Sequence, residues 1–389
     1  EIPLGRIQNV DIQRDVLARL LGVAMLSIET AGGGETEARL RYVGLDEARR
    51  LQEGIRQRKR ERETPTSTED EAESPELLFA LDDSDLLLLS VLSFDPRILT
   101  VLFVVLPMIG PGFVPQLDTV GGALAVAFTL LGIVVSALGL WLLSAAATFV
   151  QFYGFRLTQV GDELRYERGL IQRYDGSIPM EKIQTLVVEE NVLMRQFGYA
   201  ALSVETAGYA PGSTPSGGSE AAIPLAAREQ IYVLAADIEP FERPTIERPP
   251  KRARRRYLAR YTLATGAVVA IAAAISTFLV AYPWYWTLAL LLGVPVAADR
   301  TWRHRGWALG DDYTFTQAGF WRRKTHGIPY FRVQTVIERQ SIFQRRWSLG
   351  SVVVDTASSS SMLAGDAVAI DLDAGDAQRL REAVRERLQ

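Results

Sequence analysis

The chain of 389 residues contains two histidines and no cysteine, so few side chains could form a catalytic or metal site. Zinc sites are built mainly from histidine and cysteine, and a Ser-His-Asp triad would need His304 or His326. His304 lies in the basic stretch RTWRHRGW, where we expect an interfacial residue. His326 directly precedes a Gly-Ile-Pro sequence, and we interpret it as a turn residue. The sequence therefore predicts no metal site, no cofactor and no enzymatic activity.

Other short motifs resemble ligand sites but lack residues that binding would need. The segment 371–376, DLDAGD, resembles the start of a calcium loop, but its oxygen ligands do not continue to the twelfth position. We interpret it as a helix start with Asp376 near the cap. The glycine-rich stretches TAGGGE and PGSTPSGG lack the Gly-Lys-Ser/Thr of a phosphate loop. They are interpreted as loops between strands.

Three near-copies of one sequence organise the chain. IPLGRIQNV begins at Ile2, IPMEKIQTL at Ile178 and IPYFRVQTV at Ile328. The similarity continues without gaps to residues 33, 209 and 359 respectively. Self-similarity of this kind indicates a repeated structural unit, so the copies are compared position by position.

Three positions recur in every copy. A repeated glutamine and arginine could bind a ligand, but such residues more often satisfy buried backbone groups or pair with a repeated acid, here Glu29, Glu205 or Asp355. We therefore favour a structural role for them. The repeated positions are Pro3, Pro179 and Pro329, Gln8, Gln184 and Gln334, and Arg19, Arg195 and Arg345.

Each copy is interpreted as two strands separated by one short helical turn. Asp15, Asn191 and Ser341 occupy one equivalent position, and all three residue types cap helix N-termini by accepting from free backbone N–H groups. Gly22 and Gly198 suit the end of the turn, where a left-handed backbone is common.

The copies extend beyond this core in both directions. Residues 157–179 align with 307–329, and both predict two strands joined by a tight turn. Each copy then continues into a strand and a helix, and Leu380 and Val384 lie on one apolar face of the last helix. A unit of about 85 residues with this pattern predicts a small antiparallel β barrel or sandwich capped by a C-terminal helix. The first copy lacks the opening strands, and we expect a native N-terminal portion before Glu1.

Apolar segments separate the copies. No Lys or Arg occurs between Arg97 and Arg156, nor between Arg260 and Arg300. A membrane-spanning helix needs about 20 apolar residues, and segments near 120–150 and 261–282 satisfy this. Two shorter apolar segments, near 97–116 and 284–299, are joined to them by short loops. Because a backbone in lipid must satisfy its own hydrogen bonds, the sequence predicts two helical hairpins in the membrane.

The basic residues predict the orientation. They flank the apolar segments, whereas the hairpin tips near residues 117 and 284 carry none, so the tips face outward and the repeats face the cytoplasm. Tyr257 and Tyr261 share one face of the helix that enters the membrane and would mark the depth of the interface. The basic run KRARRRYLAR either sets topology alone or also contacts anionic lipid headgroups. The candidate lipid contacts are Lys251, Arg252, Arg254, Arg255, Arg256 and Arg260.

The predicted fold class is a mixed one, in which transmembrane helix hairpins alternate with soluble α+β units. The net charge of −4 is mild, and we expect no nucleic-acid partner. The predicted layout is the C-terminal part of repeat 1 at 1–56, a disordered charged linker at 57–76, an amphipathic segment on the inner membrane surface or on a repeat at 77–96, hairpin 1 at 97–150, repeat 2 at 151–240, a Pro-rich and basic linker at 241–260, hairpin 2 at 261–299, and repeat 3 at 300–389.

The sequence IPMEKIQTL…NVLMRQFGYAALSVETAG, preceded by LRYERGLIQRYDGSIP, resembles the YdbS-like bacterial PH domain family. The resemblance covers essentially the whole chain, although Trp347 and Ser348 replace the Arg-x-x-Gly ending in the third copy. It implies a multi-pass membrane protein in which a pair of membrane helices precedes each of three helix-capped PH-like barrels. It implies no enzymatic activity and, as proposed for some members, a role in envelope stress or resistance to membrane-active peptides.

Three functions remain open from the sequence. The first is a non-enzymatic scaffold at the bilayer, with another membrane protein of the same family or a second copy as its partner. The second is a transporter or export component, which the absence of Asp, Glu, Lys, Arg and His from the interiors of the spans disfavours. The third is a module that binds lipid headgroups. An enzyme acting on lipids would need a nucleophile or metal that the sequence does not supply.

Overall fold

The computed structural model describes most of the chain, with gaps. Pro3, Arg19, the cap at Asp15 and the apolar segment 97–116 lie outside the described residues. The backbone of Gln8 lies in a described strand, but its side chain is not among the described parts of the structure. The described residues are 7–14, 18, 20–30, 38–63, 75–93, 120–207, 219–239, 243–278, 284–357 and 367–387.

The described part of the chain contains sixteen strands and nine α-helices. The strands are β1 (Ile7–Arg14), β2 (Val23–Thr30), β3 (Ala38–Gly44), β4 (Glu76–Ala80), β5 (Arg156–Val160), β6 (Glu163–Arg168), β7 (Arg173–Pro179), β8 (Ile183–Asn191), β9 (Tyr199–Thr206), β10 (Ser219–Ala227), β11 (Gly306–Leu309), β12 (Tyr313–Ala318), β13 (Arg322–Pro329), β14 (Val333–Arg339), β15 (Leu349–Thr356) and β16 (Val368–Asp373). The helices are α1 (Leu45–Glu63), α2 (Asp83–Leu92), α3 (Val120–Phe152), α4 (Val192–Phe197), α5 (Arg228–Ile238), α6 (Lys251–Phe278), α7 (Leu290–Arg303), α8 (Ile342–Arg346) and α9 (Ala374–Glu386). Three 3₁₀ helices lie at Met180–Lys182, Trp284–Ala289 and Tyr330–Arg332.

The first three strands form an antiparallel ladder that α1 covers. β1 pairs with β2, and β2 pairs with β3. Ala48 of α1 packs on Ile12, Ala24 and Leu26 in a small apolar core. α1 continues to Glu63, so the first residues of the predicted disordered linker are helical. Their composition of Arg, Lys, Gln and Glu explains this, because all four are good helix formers.

The segment 77–96, predicted as an amphipathic helix or helix pair, instead contains a strand followed by one helix. β4 pairs antiparallel with β5 and extends the sheet. α2 places Leu86, Leu89 and Leu92 in the main apolar core. The segment was predicted to lie either on the inner membrane surface or on a repeat, and in the structure it packs on a repeat.

The second repeat is a two-layered sandwich closed by a helix. β5, β6 and β7 form one antiparallel layer, and β8, β9 and β10 form the other. Leu157 and Leu164 from the first layer meet Leu186 and Leu202 from the second, and Ile231 of α5 covers them. Each side chain of this size contributes about 1.5–3 kcal/mol when it is fully buried.

The repeated Ile-Pro motif is the corner at which the chain passes from one layer to the other. β7 ends at Pro179 and β13 ends at Pro329, both with φ near −63°. A 3₁₀ helix then leads into β8 or β14. The first backbone N–H of each 3₁₀ helix donates to a carbonyl of the preceding tight turn. Met180 donates to Asp162 at 2.9 Å, and Tyr330 donates to Asp312 at 3.0 Å. Proline suits this position because its ring fixes φ near the required value.

The helix caps lie where the repeat alignment predicts them. Asn191 accepts a hydrogen bond from the backbone N–H three residues later, at 2.8 Å. The Ser341 hydroxyl also accepts from the backbone N–H three residues later, and the Ser341 backbone N–H donates to the side-chain oxygen of Gln344, which completes a capping box. Gly198 ends α4 with φ 78°, and Ser348 occupies the equivalent place with φ 50°. Ser348 thus adopts a left-handed backbone that glycine takes at lower cost.

Among the described residues, two helical segments are long and apolar enough to cross a membrane, Val134–Phe152 within α3 and Lys251–Phe278, the whole of α6. Almost none of either is buried inside the protein, whereas the core helix of a soluble domain would be. α6 lies beside α7 and the 3₁₀ helix that precedes it. The basic residues 251–260 form the first turns of α6, so the segment predicted as a linker at 241–260 is helical from Lys251 onward. The run contains no proline after Pro250 and consists mostly of good helix formers.

The third repeat has the same two layers. β11, β12 and β13 form one layer, and β14, β15 and β16 form the other. The inner faces bury Ile328, Val352 and Leu372, and α9 adds Leu380 and Val384. The apolar face predicted for this last helix is therefore confirmed for those two residues.

Each of the two large sheets is shared by two repeats. The first has the strand order β3-β2-β1-β7-β6-β5-β4, and the second has the order β10-β9-β8-β13-β12-β11. At the first junction Ile12 lies opposite Asp175, and at the second Val188 lies opposite Thr325. These residues are equivalent in the repeat alignment, so the two junctions have the same register. A third sheet contains only β14, β15 and β16.

The prediction of a separate small barrel for each repeat is therefore wrong in one respect. The strands of the second repeat are divided between two sheets, and the opening strands of each later repeat complete the sheet of the repeat before. The corner at the Ile-Pro motif explains this. It carries the chain to the other layer and leaves the outer edge of β7 or β13 open for pairing with another strand.

Candidate functional site

Ion pairs line the junction between the second and third repeats. Near the end of β8, Glu189 and Glu190 lie directly opposite Lys324 and Arg323 of β13, respectively. Lys324 Nζ is 3.3 Å from Glu189, and Arg323 Nε is 2.8 Å from Glu190. Arg228, at the start of α5, donates to the second oxygen of Glu190 at 2.6 Å. Both glutamates are almost fully buried, so their charges require these cations.

Arg195, one of the repeated arginines, also holds this junction. Its guanidinium donates to the backbone carbonyl of Phe320 and lies 5.7 Å from the centre of the Phe320 ring. Burial, and next the nearby charge of Arg323, lower the pKa of Arg195 to about 10. The side chain thus remains charged at neutral pH. Arg345, its equivalent in the third repeat, is exposed.

The repeated glutamines differ in the same way. Gln184 is buried, and its side-chain nitrogen lies 3.5 Å from the carbonyl of Lys182 at the corner. Gln334 is exposed. The second-repeat copies therefore bond to backbone groups, which is the role favoured from the sequence, and the third-repeat copies face outward.

The two corners are linked by Arg332. It donates to the carbonyl of Glu181 and, at 3.1 Å, to the carboxylate of Glu239. Tyr313 donates to the other oxygen of Glu239 at 3.4 Å. Burial raises the pKa of Glu239, and Arg332 opposes that rise. The second repeat is thereby joined to the third at the corners as well as along β8.

A second cluster surrounds Asp371, which is fully buried. Arg256 of α6 binds both of its carboxylate oxygens, and Gln344 donates to one of them at 2.7 Å. A nitrogen of the Arg305 guanidinium lies 3.7 Å from the other oxygen, and the Asp371 N–H donates to Ser351 at 3.2 Å. These contacts fix the base of α6 to the third repeat.

Three of the six candidate lipid contacts are paired with carboxylates. Arg256 binds Asp371 as described, Arg252 binds Asp373, and Arg254 Nε lies 3.3 Å from Asp299. Asp373 also caps α9 by accepting from a backbone N–H, and Asp376 lies in the first turn of that helix, near the cap as expected. The other three candidates are exposed; they are Lys251, Arg255 and Arg260.

Tyr257 does not mark the membrane interface, contrary to expectation. It is fully buried in a cluster with Ala253, Ala298 and Leu349, the last from the third repeat. The guanidinium of Arg305 lies 4.7 Å from the centre of its ring. The first turns of α6 therefore pack on protein.

The two histidines occupy different settings. His304 follows α7, and its Nδ1 lies 2.7 Å from the carbonyl of Arg300. His326 was predicted to lie in a turn, but it is a buried residue of β13. Both its ring nitrogens are without a hydrogen-bond partner among the described residues, and Nε2 lies 4.0 Å from Glu205. The prediction failed because a strand continues through this Gly-Ile-Pro sequence up to the corner.

The part of the chain that the structure describes contains no group of three or more His, Asp or Glu side chains placed to hold a metal ion. What they do contain is a set of buried ion pairs that join repeats to each other and to α6. Asp371 is one of the members that the sequence analysis did not predict. A signal was available, because the equivalent residues of the other copies are Tyr42 and Leu225. An acid at a place that is otherwise aromatic or apolar indicates a specific partner.

Comparison with known proteins gives a consistent result. A family model described as Bacterial PH domain matches residues 1–59, 100–240 and 256–388. The chain is also 24% identical over 383 residues to the UPF0699 transmembrane protein YdbT of Bacillus subtilis (strain 168). That alignment covers 93% of this chain and 76% of YdbT. No solved structure matches the chain.

Replacement of Asp371 by Asn should strongly destabilise the protein, because it leaves the half-buried Arg256 without its charged partner in the fully buried part of the cluster. Removing one member of a buried pair costs about 3–5 kcal/mol. Asp373→Asn is the matched control, since Asp373 is 39% exposed in its pair with Arg252, and exposed pairs contribute about 0–1 kcal/mol. Chemical unfolding of the purified proteins in detergent would measure both. Equal losses in the two variants would contradict the role assigned to Asp371.

His326 should make stability fall in mild acid. Burial, and next the charge of Lys324, lower its pKa from 6.5 to about 3. Between these values the unfolded chain binds a proton that the folded chain does not, so stability falls as the pH drops below about 6.5, by up to about 1.4 kcal/mol per unit. Unfolding of the wild type and His326→Leu at several pH values between 7 and 4 tests this. The variant should lose less stability than the wild type, and identical slopes would refute the assignment.

Proposed function

The chain belongs to the bacterial PH domain family, and we propose that it is a non-enzymatic membrane scaffold whose PH-like repeats bind another protein beside the bilayer. The observation that supports this most directly is the continuous attachment of repeat to repeat and of the third repeat to α6. Such an arrangement holds protein surfaces at a constant place relative to the membrane. The resemblance to the family adds the expectation of a role in envelope stress or in resistance to membrane-active peptides.

The proposed topology has two membrane hairpins, at residues 97–150 and 261–299, with all repeats in the cytoplasm. α7 has 14 residues and is short for a span. Residues 290–299, the part of α7 inside this hairpin, and the preceding 3₁₀ helix of 6 residues together reach about 27 Å, at 1.5 Å per α-helical and 2.0 Å per 3₁₀ residue. The hydrocarbon layer is about 30 Å thick, so this second leg crosses most of it beside α6.

Transport is less well supported as a function. α3 contains no Asp, Glu, Lys, Arg or His, and α6 contains none after Arg260. Ionisable side chains inside the membrane usually mark the route of an ion or polar substrate. The helices described thus supply an anchor and lack the groups from which a transport path is built.

Binding of anionic lipid headgroups is a second candidate function. The observation that favours it is the exposure of Lys251, Arg255 and Arg260 on the first turns of α6. Each basic residue near an anionic surface contributes about 1 kcal/mol, and salt screens the attraction over about 10 Å. In this case the lipid would also fix the scaffold against the bilayer.

The topology should be visible by cysteine labelling, since the chain has no native cysteine. A maleimide that cannot cross membranes should label Leu117→Cys and Trp284→Cys in intact cells. It should label Ser213→Cys and Gln389→Cys only after the membrane is permeabilised. Labelling of Ser213→Cys from outside would overturn the proposed orientation.

The same single-cysteine proteins test the scaffold function. A permeant bis-maleimide should link Gln389→Cys, but not Leu117→Cys, to a second protein chain in native membranes. The purified full chain in vesicles should give no saturable solute flux. Saturable flux together with an absence of cross-links would favour transport.

The lipid candidate predicts that Lys251→Gln, Arg255→Gln and Arg260→Gln together reduce the anionic lipid that copurifies with the protein. The matched control is Arg252→Gln with Arg254→Gln, which removes charges already paired with carboxylates. Phosphatidylglycerol would be measured against phosphatidylcholine after reconstitution of each variant in mixed vesicles at low salt. If both variants keep the wild-type ratio, the basic run affects topology alone.

A further inference from the structure

Strand β14 has an open edge where its two equivalents are paired. β1 lies between β2 and β7, and β8 lies between β9 and β13. β14 pairs with β15, and no strand in the described part of the chain pairs with its other edge. An unpaired edge presents a row of backbone N–H and C=O groups that can accept another strand.

The side chains along this edge are exposed in a way that their equivalents are not. Ile337 is 39% exposed, whereas its equivalent Val187 is fully buried. Just beyond the strand, Ile342 and Phe343 are 82% and 68% exposed. Leu193, the equivalent of Phe343, packs against the main apolar core. The third repeat therefore leaves uncovered an apolar surface that the second repeat covers.

We propose that the outer edge of β14 binds, by strand addition, the opening β-hairpin of a PH-like repeat on a different protein, not on a second copy of this chain. This inference rests on the proposed scaffold function and names the surface and the kind of partner. The two internal junctions are its precedent, because each adds a hairpin strand antiparallel and in the same register. Strand addition of this kind takes its affinity from main-chain hydrogen bonds and its specificity from the side chains.

The precedent also describes the partner's position. β5 begins four residues after α3 ends, and β11 begins three residues after α7 ends. Each donated hairpin thus starts at the base of an apolar helix. A partner that presents its hairpin at the level of β14 would have the same arrangement, with a membrane-spanning helix directly before the hairpin.

Arg339 selects the charge of the partner strand. In the register of the junction, Glu189 lies opposite Lys324, and the equivalent of Glu189 in the third repeat is Arg339. A hairpin with the sequence of β13 would place Lys324 against Arg339, and like charges directly opposite each other destabilise strand pairing. The partner strand therefore carries an acidic residue at this position.

The test fuses a second copy of residues 306–329 to the C-terminus of the full chain through a long flexible linker. The fusion gives the appended hairpin a local concentration in the millimolar range. Four proteins combine Arg339 or Arg339→Glu in β14 with Lys324 or Lys324→Glu in the appended copy. Arg339 is exposed, so its substitution leaves the core intact. Hydrogen–deuterium exchange in lipid nanodiscs then follows the amides of β14.

The two proteins with opposite charges should show exchange slowed several-fold at alternate amides of β14, and the two with like charges should show less protection. Amides of β16 provide the internal control, because β16 forms the far edge of the same sheet. Amides of β8 should also be unchanged, which shows that the appended copy has not displaced β13.

Unchanged exchange of β14 in all four proteins would overturn the proposal, since the hairpin would then fail to pair even at high local concentration. The proposal would also be overturned if the amides of β14 in the unfused chain exchanged more slowly at higher protein concentration. That result would mean that a second copy of this chain binds the edge. Neither result removes the scaffold function if the bis-maleimide still links the chain to another protein. The two proposals can therefore fail separately.

Discussion

Antiparallel pairing between repeats is the constraint on which the rest of the structure depends. β8 has a strand on each side, and the strand on one side belongs to the next repeat. The acids at its end are buried and are neutralised by basic residues of that strand. Removing the partner would leave both an open strand edge and two buried charges, and each of these is unfavourable in a folded protein. The second and third repeats thus depend on each other for their stability.

Pairing of buried charges also attaches α6 to the third repeat. Arg256 stands on α6 and its carboxylate partner stands on β16, so the helix and the third repeat share one buried charge pair. Tyr257 and its apolar neighbours complete the contact. A basic run that the positive-inside rule explains by topology alone thereby acquires a second use. Half of its candidates join protein to protein, and the exposed half can contact headgroups.

The local features of the fold were predictable from the sequence, and the long-range ones were not. The caps at Asn191 and Ser341 and the helix end at Gly198 depend on a few adjacent residues, so residue type and spacing were sufficient. The pairing of β8 with β13 joins residues more than a hundred positions apart, and the alternation within either strand does not identify its neighbour. His326 and Asp371 were missed for a related reason, since their burial is produced by segments distant in the chain.

The sharing of sheets has a consequence for how the protein is made. When Asn191 is added to the growing chain, Arg322, its partner across the junction, is still about 130 residues from being added, which takes roughly ten seconds at typical bacterial rates. Throughout that interval the second repeat has its sheet open, and α6 and α7 are synthesised before the strand that closes it. Biogenesis is therefore vectorial, and each nascent repeat waits for its successor to complete it.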